Sequence, residues 1–240
     1  MRWIAALLLV PPLAAQGAKP CVAGRAVDRT YLELSESTGG QLFLFQQGEM
    51  KESSAVMQAP NSHPVTLMRA VGQLSGEHTF EFPVDSTVES MLVMASVQCR
   101  EAVVVYDPSG PEVPAAKAAR NVDLQSGRIL QIDKPRRGPW KIRLAGNGLF
   151  ACSVMVKSKI AVHVSDEDEQ FRIRTEGFKG TVTAYEVDAS GLRSDGASRY
   201  RIAVEGVDEL GFKVLRTNPV LFKAKKRLQL QATSRAIVAW

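Results

Sequence analysis

Residues 77–106, EHTFEFPVDSTVESMLVMASVQCREAVVVY, decide the fold class of this chain. Phe80 and Phe82 alternate with polar neighbours, which is the two-residue period of a strand with one buried face. The apolar runs VESMLVMASV and EAVVVY follow, and each has the length of a strand. The stretch therefore predicts three consecutive strands, and a Pro- and Gly-containing turn at 107–110 ends the third.

The pattern continues towards the C-terminus. GRILQID at 127–133 predicts a fourth strand, and GPWKIRLAGNGLFACSVMVKS at 138–158 predicts a hairpin that turns at Gly-Asn-Gly 146–148. Further strand patterns, among them QFRIRT, GTVTAYEVD, YRIAVEG, RLQLQAT and AIVAW, fill residues 159–240. We therefore predict a mainly β protein with two immunoglobulin-like antiparallel sandwiches, at residues 76–158 and 159–240.

A different pattern precedes the strands. DRTYLELSESTGG predicts a short helix that ends at Gly39 and Gly40, because glycine accepts the left-handed conformation of a helix C-cap. QLFLF at 41–45 predicts a short buried strand. Residues 46–75 are interpreted as a connector with a short helix around 65–73.

Residues 1–18 have the pattern of a secretory signal peptide. Arg2 supplies the positive charge, Ile4–Val10 supplies the apolar run, and small residues follow at the expected cleavage region. The alternative is a membrane anchor, but the run is shorter than the roughly 20 residues of a spanning helix, and no later segment is long and apolar enough. The sequence therefore predicts a secreted, periplasmic or extracellular protein without a transmembrane segment after signal removal.

The chain has three cysteines, Cys21, Cys99 and Cys152. Disulfides are the usual state of cysteines in exported proteins, but an odd number leaves one thiol over. Cys99 and Cys152 fall within one predicted sandwich, so this pair is the favoured disulfide, and buried free thiols are the alternative. No set of Cys and His has the spacing of a zinc site.

The charge balance is compatible with anionic partners and does not specify one. Lys and Arg number 30 against 25 Asp and Glu, and hydrophobic residues make up an ordinary 45%. The segment 223–227 is strongly basic, and Arg136 and Arg137 form a basic pair in an exposed turn. Both could meet an anionic polymer such as a polysaccharide, or form a solvated face. The four residues of the first candidate surface are Lys223, Lys225, Lys226 and Arg227. Basic and aromatic residues are not interleaved, so no nucleic-acid partner is predicted.

No pattern of catalytic residues is present in the sequence. His63, His78 and His163 have no neighbouring Ser and Asp in the arrangement of a triad, and the chain has no Gly-x-Ser-x-Gly motif. Asp-Glu-Asp-Glu at 166–169 lacks the spaced ligands and glycine of a calcium loop. Trp140 could form a ligand platform, but a Trp at this place in a sandwich usually fills the core. We therefore predict no enzyme activity, no catalytic residue, no metal and no cofactor.

The order of these segments resembles the region that follows the von Willebrand factor A domain in hemicentin-like proteins. The resemblance covers about residues 28–215. It rests on LSESTGGQLFLF, on a D-P-x-G turn and on a P-x-x-G-x-W motif. The motif residues are Asp107, Pro108 and Gly110, and then Pro135, Gly138 and Trp140. The resemblance implies the end of an A domain followed by immunoglobulin-like sandwiches in an extracellular protein.

The sequence departs from that family at the metal site of the A domain, which uses an Asp-x-Ser-x-Ser motif. DSTVES at 85–90 is the nearest stretch, but Thr87 and Glu89 stand at the two serine positions. Metal-dependent adhesion is therefore not implied for this chain. Residues 19–75 are interpreted as a residual A-domain-like helix and strand with a connector. The apolar strand either packs on the first sandwich or docks on a partner. Its residues are Leu42, Phe43, Leu44 and Phe45.

These observations predict an exported, non-enzymatic binding or adhesion-type protein. It would bind a protein or polysaccharide partner through sandwich loops or strand edges. The alternative is a structural subunit whose N-terminal segment docks on a larger partner. A hydrolase with an unrecognised site is a third hypothesis, because a fold does not determine function.

Overall fold

The computed structural model of the protein describes residues 28–52, 54, 63–167, 170–176, 180–186 and 199–223. These residues contain one α-helix, α1 (Arg29–Thr38), and short 3-10 helices at Gln47–Glu52 and Ala115–Lys117. The strands are β1 (Val65–Val84), β2 (Val88–Tyr106), β3 (Arg120–Asp123), β4 (Gly127–Asp133), β5 (Gly138–Ser158), β6 (Ala161–Glu167), β7 (Gln170–Glu176), β8 (Gly180–Glu186), β9 (Arg199–Val207), β10 (Lys213–Thr217) and β11 (Phe222–Lys223). The protein is mainly β, as predicted.

The N-terminal sheet is antiparallel and has the strand order β1-β5-β2-β4-β3. Strands β1, β2 and β5 have 20, 19 and 21 residues, and a straight strand of that length would extend about 65 Å. The buried side chains of the main core come from β1, β2, β4, β5 and Val113 of the loop after β2. The sheet therefore folds over, so that its inner face is covered by its own residues.

The fold-over has a local cause at the middle of β5. Gly146 has φ 143° and Gly148 has φ 95°, backbone conformations that residues with a Cβ rarely adopt. A Cβ on Gly146 would lie 2.1 Å from the carbonyl oxygen of Cys99. Strand β2 has two register shifts next to this point, between Val97 and Cys99 and between Arg100 and Ala102. Bulges bend a strand and increase its twist, so both strands change direction here.

Several predicted strand boundaries are wrong because of these long strands. The hairpin with a turn at 146–148 is one continuous strand, β5. The two strands predicted from VESMLVMASV and EAVVVY are one strand, β2. The connector helix around 65–73 is also wrong, because these residues form the first half of β1 and pair with β5 from Val65↔Val156 onwards. The first sheet thus begins at Val65 instead of residue 76.

In the N-terminal segment the predicted helix is confirmed, and the predicted strand at 41–45 is wrong. The Asp28 carboxylate accepts a hydrogen bond from the Thr30 amide at 2.9 Å, and Gly39 caps the helix C-terminus with φ 73°. Residues 41–46 form no strand, and lie along the outer face of the first sheet. Phe43 and Phe45 pack there against a second apolar cluster. Its members are Leu92, Met94, Ile129 and Met155.

This packing partly buries the apolar segment within the protein itself. All four residues from Leu42 to Phe45 are half-buried, and the Leu44 amide donates to Ser96 Oγ at 3.0 Å. In the structure this segment packs on the first sheet, which was the first of the two alternatives. Docking of the segment on a partner stays a prediction.

The predicted strands of the C-terminal half that fall in the described residues are confirmed. Strand β9 pairs with β8 and also with β10 and β11, and β6 pairs with β7, all antiparallel. The predicted strands RLQLQAT and AIVAW lie outside the described residues, as does the predicted signal peptide. The number of sandwiches and their immunoglobulin-like topology stay predictions.

A buried ion pair attaches β10 to the first sheet. Arg216 and Asp85 have fully buried side chains, and Arg216 Nη1 lies 2.7 Å from Asp85 Oδ2. The same guanidinium donates to Ser158 Oγ at 2.7 Å and to the Ile160 carbonyl oxygen at 3.1 Å. Next to it, Thr217 Oγ1 donates to the Leu67 carbonyl oxygen at 2.8 Å. The two parts of the chain therefore share one polar, fully hydrogen-bonded joint.

A second joint involves the helix. The carboxylate of Glu36 in α1 pairs with Arg69 of β1, at 3.2 Å, and also with Arg201 of β9. Arg69 donates further hydrogen bonds to the carbonyl oxygens of Ser35 and Gly39 at 3.1 Å. The C-terminal end of α1 is thus fixed between the first sheet and β9, which explains why so short a helix is ordered.

The ion pair of Asp85 makes stability depend on pH. Burial opposes the charged carboxylate, but hydrogen bonds from Arg216 and Thr87 and the charge of Arg216 outweigh it, and the pKa of Asp85 is lowered. The unfolded chain keeps an ordinary Asp pKa of about 4, so it takes up a proton at Asp85 before the folded protein does. We expect the contribution of Asp85 to be complete above about pH 4 and to be lost as pH falls through the lower folded pKa.

Urea unfolding at a series of pH values from about 5 down to about 2 measures this dependence. The stability difference between the wild type and Asp85→Asn should shrink with acid. Asp133→Asn, at the exposed end of β4, is the control for the loss of one carboxylate. A difference that stays constant over the whole range would contradict the expectation.

Candidate functional site

A groove of about 610 Å³ lies where the first sheet meets the turn between β9 and β10. One wall is the loop between β4 and β5, and the other is formed by Phe212. The floor comes from the turn between β1 and β2 and the start of β2. The lining residues are Asp85, Ser86, Val88, Lys134, Pro135, Arg136, Arg137 and Phe212. Small-ligand sites in proteins have volumes of this order.

The loop that carries the basic wall is held by its backbone. The Lys134 amide donates to the Glu89 carbonyl oxygen at 2.8 Å, and Lys134 has φ 47°. The Arg136 carbonyl oxygen accepts a hydrogen bond from Trp140 Nε1 at 2.7 Å, and the Trp140 side chain is buried in the core. Trp140 therefore supports this loop from inside, and its indole is not a ligand platform. Side chains on a loop fixed in this way need little reorganisation to bind.

Asp208 holds the opposite wall. Its Oδ1 accepts hydrogen bonds from the amides of Leu210 at 2.9 Å and Phe212 at 2.8 Å. Its Oδ2 accepts one from the amide of Ser86 in the floor, at 2.7 Å. Burial works against the charged form, but these hydrogen bonds outweigh it and lower the pKa of Asp208. One carboxylate thus fixes the position of Phe212 relative to the floor.

The groove carries more positive than negative charge. Among the described residues, no carboxylate lies within ion-pair distance of Lys134, Arg136 or Arg137. The lining carboxylate of Asp85 is already paired with Arg216. The guanidinium carbon of Arg137 lies 5.6 Å from the ring centroid of Phe212, a cation–π contact across the groove.

This arrangement suits the binding of an anion. Guanidinium groups present a planar set of donors that matches a carboxylate or sulfate. In the residues that the structure describes, no group of three or more His, Cys, Asp and Glu side chains could hold a metal ion. The same part of the chain contains no helix that is long and apolar enough to cross a membrane.

The basic residues proposed from the sequence are divided between this groove and undescribed regions. Arg136 and Arg137 lie in an exposed turn, as predicted, and line the groove, which the sequence did not predict. Lys225, Lys226 and Arg227 lie outside the described residues, and of Lys223 only the backbone is described, in β11. Phe212 was missed, because its contact with Arg137 joins residues far apart in sequence.

The favoured disulfide is wrong. Cys152 is a free, buried thiol, whereas Cys99 is disulfide-bonded. In the pairing of β2 with β5, Cys152 lies opposite Ala95 and Cys99 lies opposite Asn147. The two cysteines are therefore separated by about 13 Å along the strands, and a disulfide requires Cα atoms within about 7 Å. Cys21 lies outside the described residues.

We expect the Cys152 thiol to be unreactive in the folded protein. Burial raises its pKa to about 12, so almost no thiolate is present at about pH 8. Iodoacetamide should leave Cys152 unmodified in buffer and alkylate it completely in denaturing urea, as read from the mass of its peptide. Rapid alkylation of the native protein at a rate typical of an exposed thiol would contradict this expectation.

Comparison with known proteins agrees with part of the resemblance seen in the sequence. A family model described as Hemicentin galactose-binding domain-like matches residues 64–159. The match coincides with the first sheet, from β1 to β5, and covers less than half of the chain. It supports a hemicentin-like region in this part of the chain. The residual A domain and the immunoglobulin-like character stay predictions.

Other comparisons add little. No curated protein matches the chain. Among solved structures, the Bacillus licheniformis lipase BlEst2 in propeptide form is similar with a TM-score of 0.37 and 15% identity, over 67% of this chain and 43% of that chain. A likeness this weak carries no argument about fold or function.

Proposed function

We propose that this chain is an exported, non-enzymatic binding protein of the extracellular space or cell envelope, which takes a carbohydrate ligand in the groove between its first sheet and the β9–β10 turn. The sequence pattern of residues 1–18 motivates the location. The family match of residues 64–159 to a galactose-binding-like domain motivates the class of ligand. The described residues form antiparallel sheets, and the sequence predicts two immunoglobulin-like sandwiches.

The single observation that carries the proposal is a preformed groove with basic side chains. Its walls come from two parts of the chain that are far apart in sequence, 134–137 and 212, and backbone hydrogen bonds hold each wall. Its lining combines the apolar residues Val88, Pro135 and Phe212 with polar and charged residues. Apolar surface with a few fixed polar groups is the usual composition of a small-ligand site.

The lining residues also favour binding over catalysis. The one carboxylate among them, Asp85, is fully buried and hydrogen-bonded to Arg216 and Thr87. It is therefore not placed to transfer a proton to a ligand. The remaining ionisable groups of the lining are the cations Lys134, Arg136 and Arg137.

Filling the groove tests the proposal. We expect Ser86→Trp to weaken the binding of any bound oligosaccharide by about ten-fold or more, because the indole would occupy the floor. Ser75→Trp, at an exposed position of β1, is the matched control and should bind as the wild type does. Isothermal titration of the full secreted chain against a panel of neutral and acidic oligosaccharides gives the affinities, and thermal unfolding confirms that both variants are folded.

Two results would count against the proposal. One is the absence of binding to every saccharide of the panel. The other is equal binding by the wild type and Ser86→Trp, which would place the ligand elsewhere on the surface.

A further inference from the structure

We propose that the groove selects acidic saccharides, with the guanidinium of Arg137 binding a carboxylate of the sugar and Phe212 positioning that guanidinium. This inference rests on the proposed function, because it names the chemistry of the ligand at the same site. Two observations carry it: the contact between Arg137 and Phe212, and the absence of competing carboxylates in the described lining.

The first observation concerns the orientation of Arg137. At 5.6 Å from the ring centroid of Phe212, its guanidinium is placed over an aromatic face that attracts the cation. The ring cannot accept all five N–H donors, so donors stay available to a ligand. Phe212 itself is fixed by the hydrogen bond from its amide to Asp208. The cation is therefore held at the mouth of the groove before a ligand arrives, which reduces the entropy lost on binding.

The second observation concerns the balance of charge. Neither Arg137 nor its neighbours Lys134 and Arg136 have an ion-pair partner among the described residues, although exposed pairs are common elsewhere on the protein, as between Lys141 and Glu81. Three cations within four residues repel each other, and an anionic ligand reduces this repulsion.

Three carboxylates in or beside the walls of the groove have other partners. Asp85 accepts hydrogen bonds from Arg216 and Thr87, and Asp208 accepts three backbone amides. Asp107 is hydrogen-bonded to the amide and hydroxyl of Ser109 at 2.7 and 2.5 Å. The Ser109 hydrogen bonds and, to a smaller extent, the charges of Arg136 and Lys117 lower the pKa of Asp107, so this carboxylate partly balances Arg136. None of these groups is therefore placed to neutralise Arg137.

The groove suits a short acidic saccharide better than an extended acidic polymer. Its volume of about 610 Å³ is of the order of a small-ligand site, and the basic residues lie on one short loop rather than along a strand. Val88 and Pro135 are buried, so the half-buried Phe212 provides most of the apolar surface for the C–H face of a sugar ring next to the cations. A planar guanidinium also pairs with a carboxylate through two parallel hydrogen bonds.

The test compares saccharides with and without the negative charge of their carboxyl groups. Trigalacturonate and its fully methyl-esterified form, and a second pair of a hyaluronan tetrasaccharide and its methyl ester, are titrated into the full secreted chain. We expect at least one acid to bind about ten-fold or more tightly than its ester. Arg137→Gln should weaken binding of that acid by about ten- to a hundred-fold and leave the ester unchanged. Lys141→Gln removes one positive charge outside the groove and should change neither affinity.

The role of Phe212 is tested separately from its contribution to folding. We expect Phe212→Leu to weaken binding of the acid, because leucine keeps most of the apolar volume but has no ring face for the cation. Phe212→Tyr restores the ring and should restore the affinity. A loss in Phe212→Tyr as large as that in Phe212→Leu would overturn the positioning role.

The outcomes separate this inference from the proposed function. If each ester binds as tightly as its acid and Ser86→Trp blocks both, the proposed function holds and the selection of acidic saccharides is overturned. If no saccharide binds, both fail. If polyglutamate of the same charge competes as well as the acidic saccharide, the groove recognises carboxylates in general, and the saccharide part of the inference is overturned.

Discussion

Arg216→Ala should lower the free energy of unfolding by about 3–5 kcal/mol. The guanidinium is fully buried and is the charged partner of Asp85, whose side chain is also fully buried. Alanine would leave that carboxylate in the interior with only its hydrogen bonds from Thr87. Ser158 Oγ and the Ile160 carbonyl oxygen would lose a donor as well. Removing one partner of a buried pair costs more than the pair itself contributes, because the remaining charge is not compensated.

Two comparisons make this experiment specific. Lys141→Ala removes one partner of the exposed Lys141–Glu81 pair and should cost less than about 1 kcal/mol. The double variant Asp85→Asn with Arg216→Met removes both charges, and it should be more stable than Arg216→Ala alone. Urea unfolding of the full chain gives all four free energies. A loss in Arg216→Ala no larger than in Lys141→Ala would show that the joint does not contribute to stability.

Gly146→Ala is expected to cost roughly 3 kcal/mol or more. The residue has φ 143°, and an added Cβ would lie 2.1 Å from the Cys99 carbonyl oxygen, so either β2 or β5 must move. The obstacle is backbone, which cannot rotate away as the end of a flexible side chain does. The strain would fall where β2 and β5 change direction together.

The residue paired with Gly146 in the sheet provides a matched control. Gly76 of β1 lies opposite Gly146 and has φ 86°, but an added Cβ there meets no atom within 4 Å. Gly76→Ala should therefore cost only the backbone term, about 1 kcal/mol. Comparing the two variants by urea unfolding isolates the effect of the close approach. Equal losses would mean that β2 and β5 are not in tight contact at this place.

The local features of the fold could be predicted from the sequence. The helix with its Gly39 cap, the strand β4 and the strands from β6 to β10 were all recognisable, because each has its own periodicity and its own boundary residues. The long strands could not be recognised in the same way. Glycine in the middle of a strand has the same sequence signature as a turn, and only the neighbouring strand shows which of the two it is.

Only one part of the groove, its basic turn, has a local sequence pattern. Two adjacent arginines after Pro135 are visible in the sequence as an exposed basic turn. What makes them a candidate site is Phe212, which a different strand pair brings to Arg137, and Asp208, which fixes Phe212. Contacts between residues so far apart depend on the complete fold. The cysteines illustrate the same point, because the register of β2 and β5 decides that Cys99 and Cys152 are too far apart to pair.

The hydrogen bond between Arg216 and Asp85 joins positions 131 residues apart, and this separation has a consequence for how the protein is made. A chain is synthesised from its N-terminus, so all five strands of the first sheet emerge while Arg216 is still to come. During that interval Asp85 has no cationic partner, and water must reach its carboxylate. The first sheet therefore gains its final stability only when β10 has emerged.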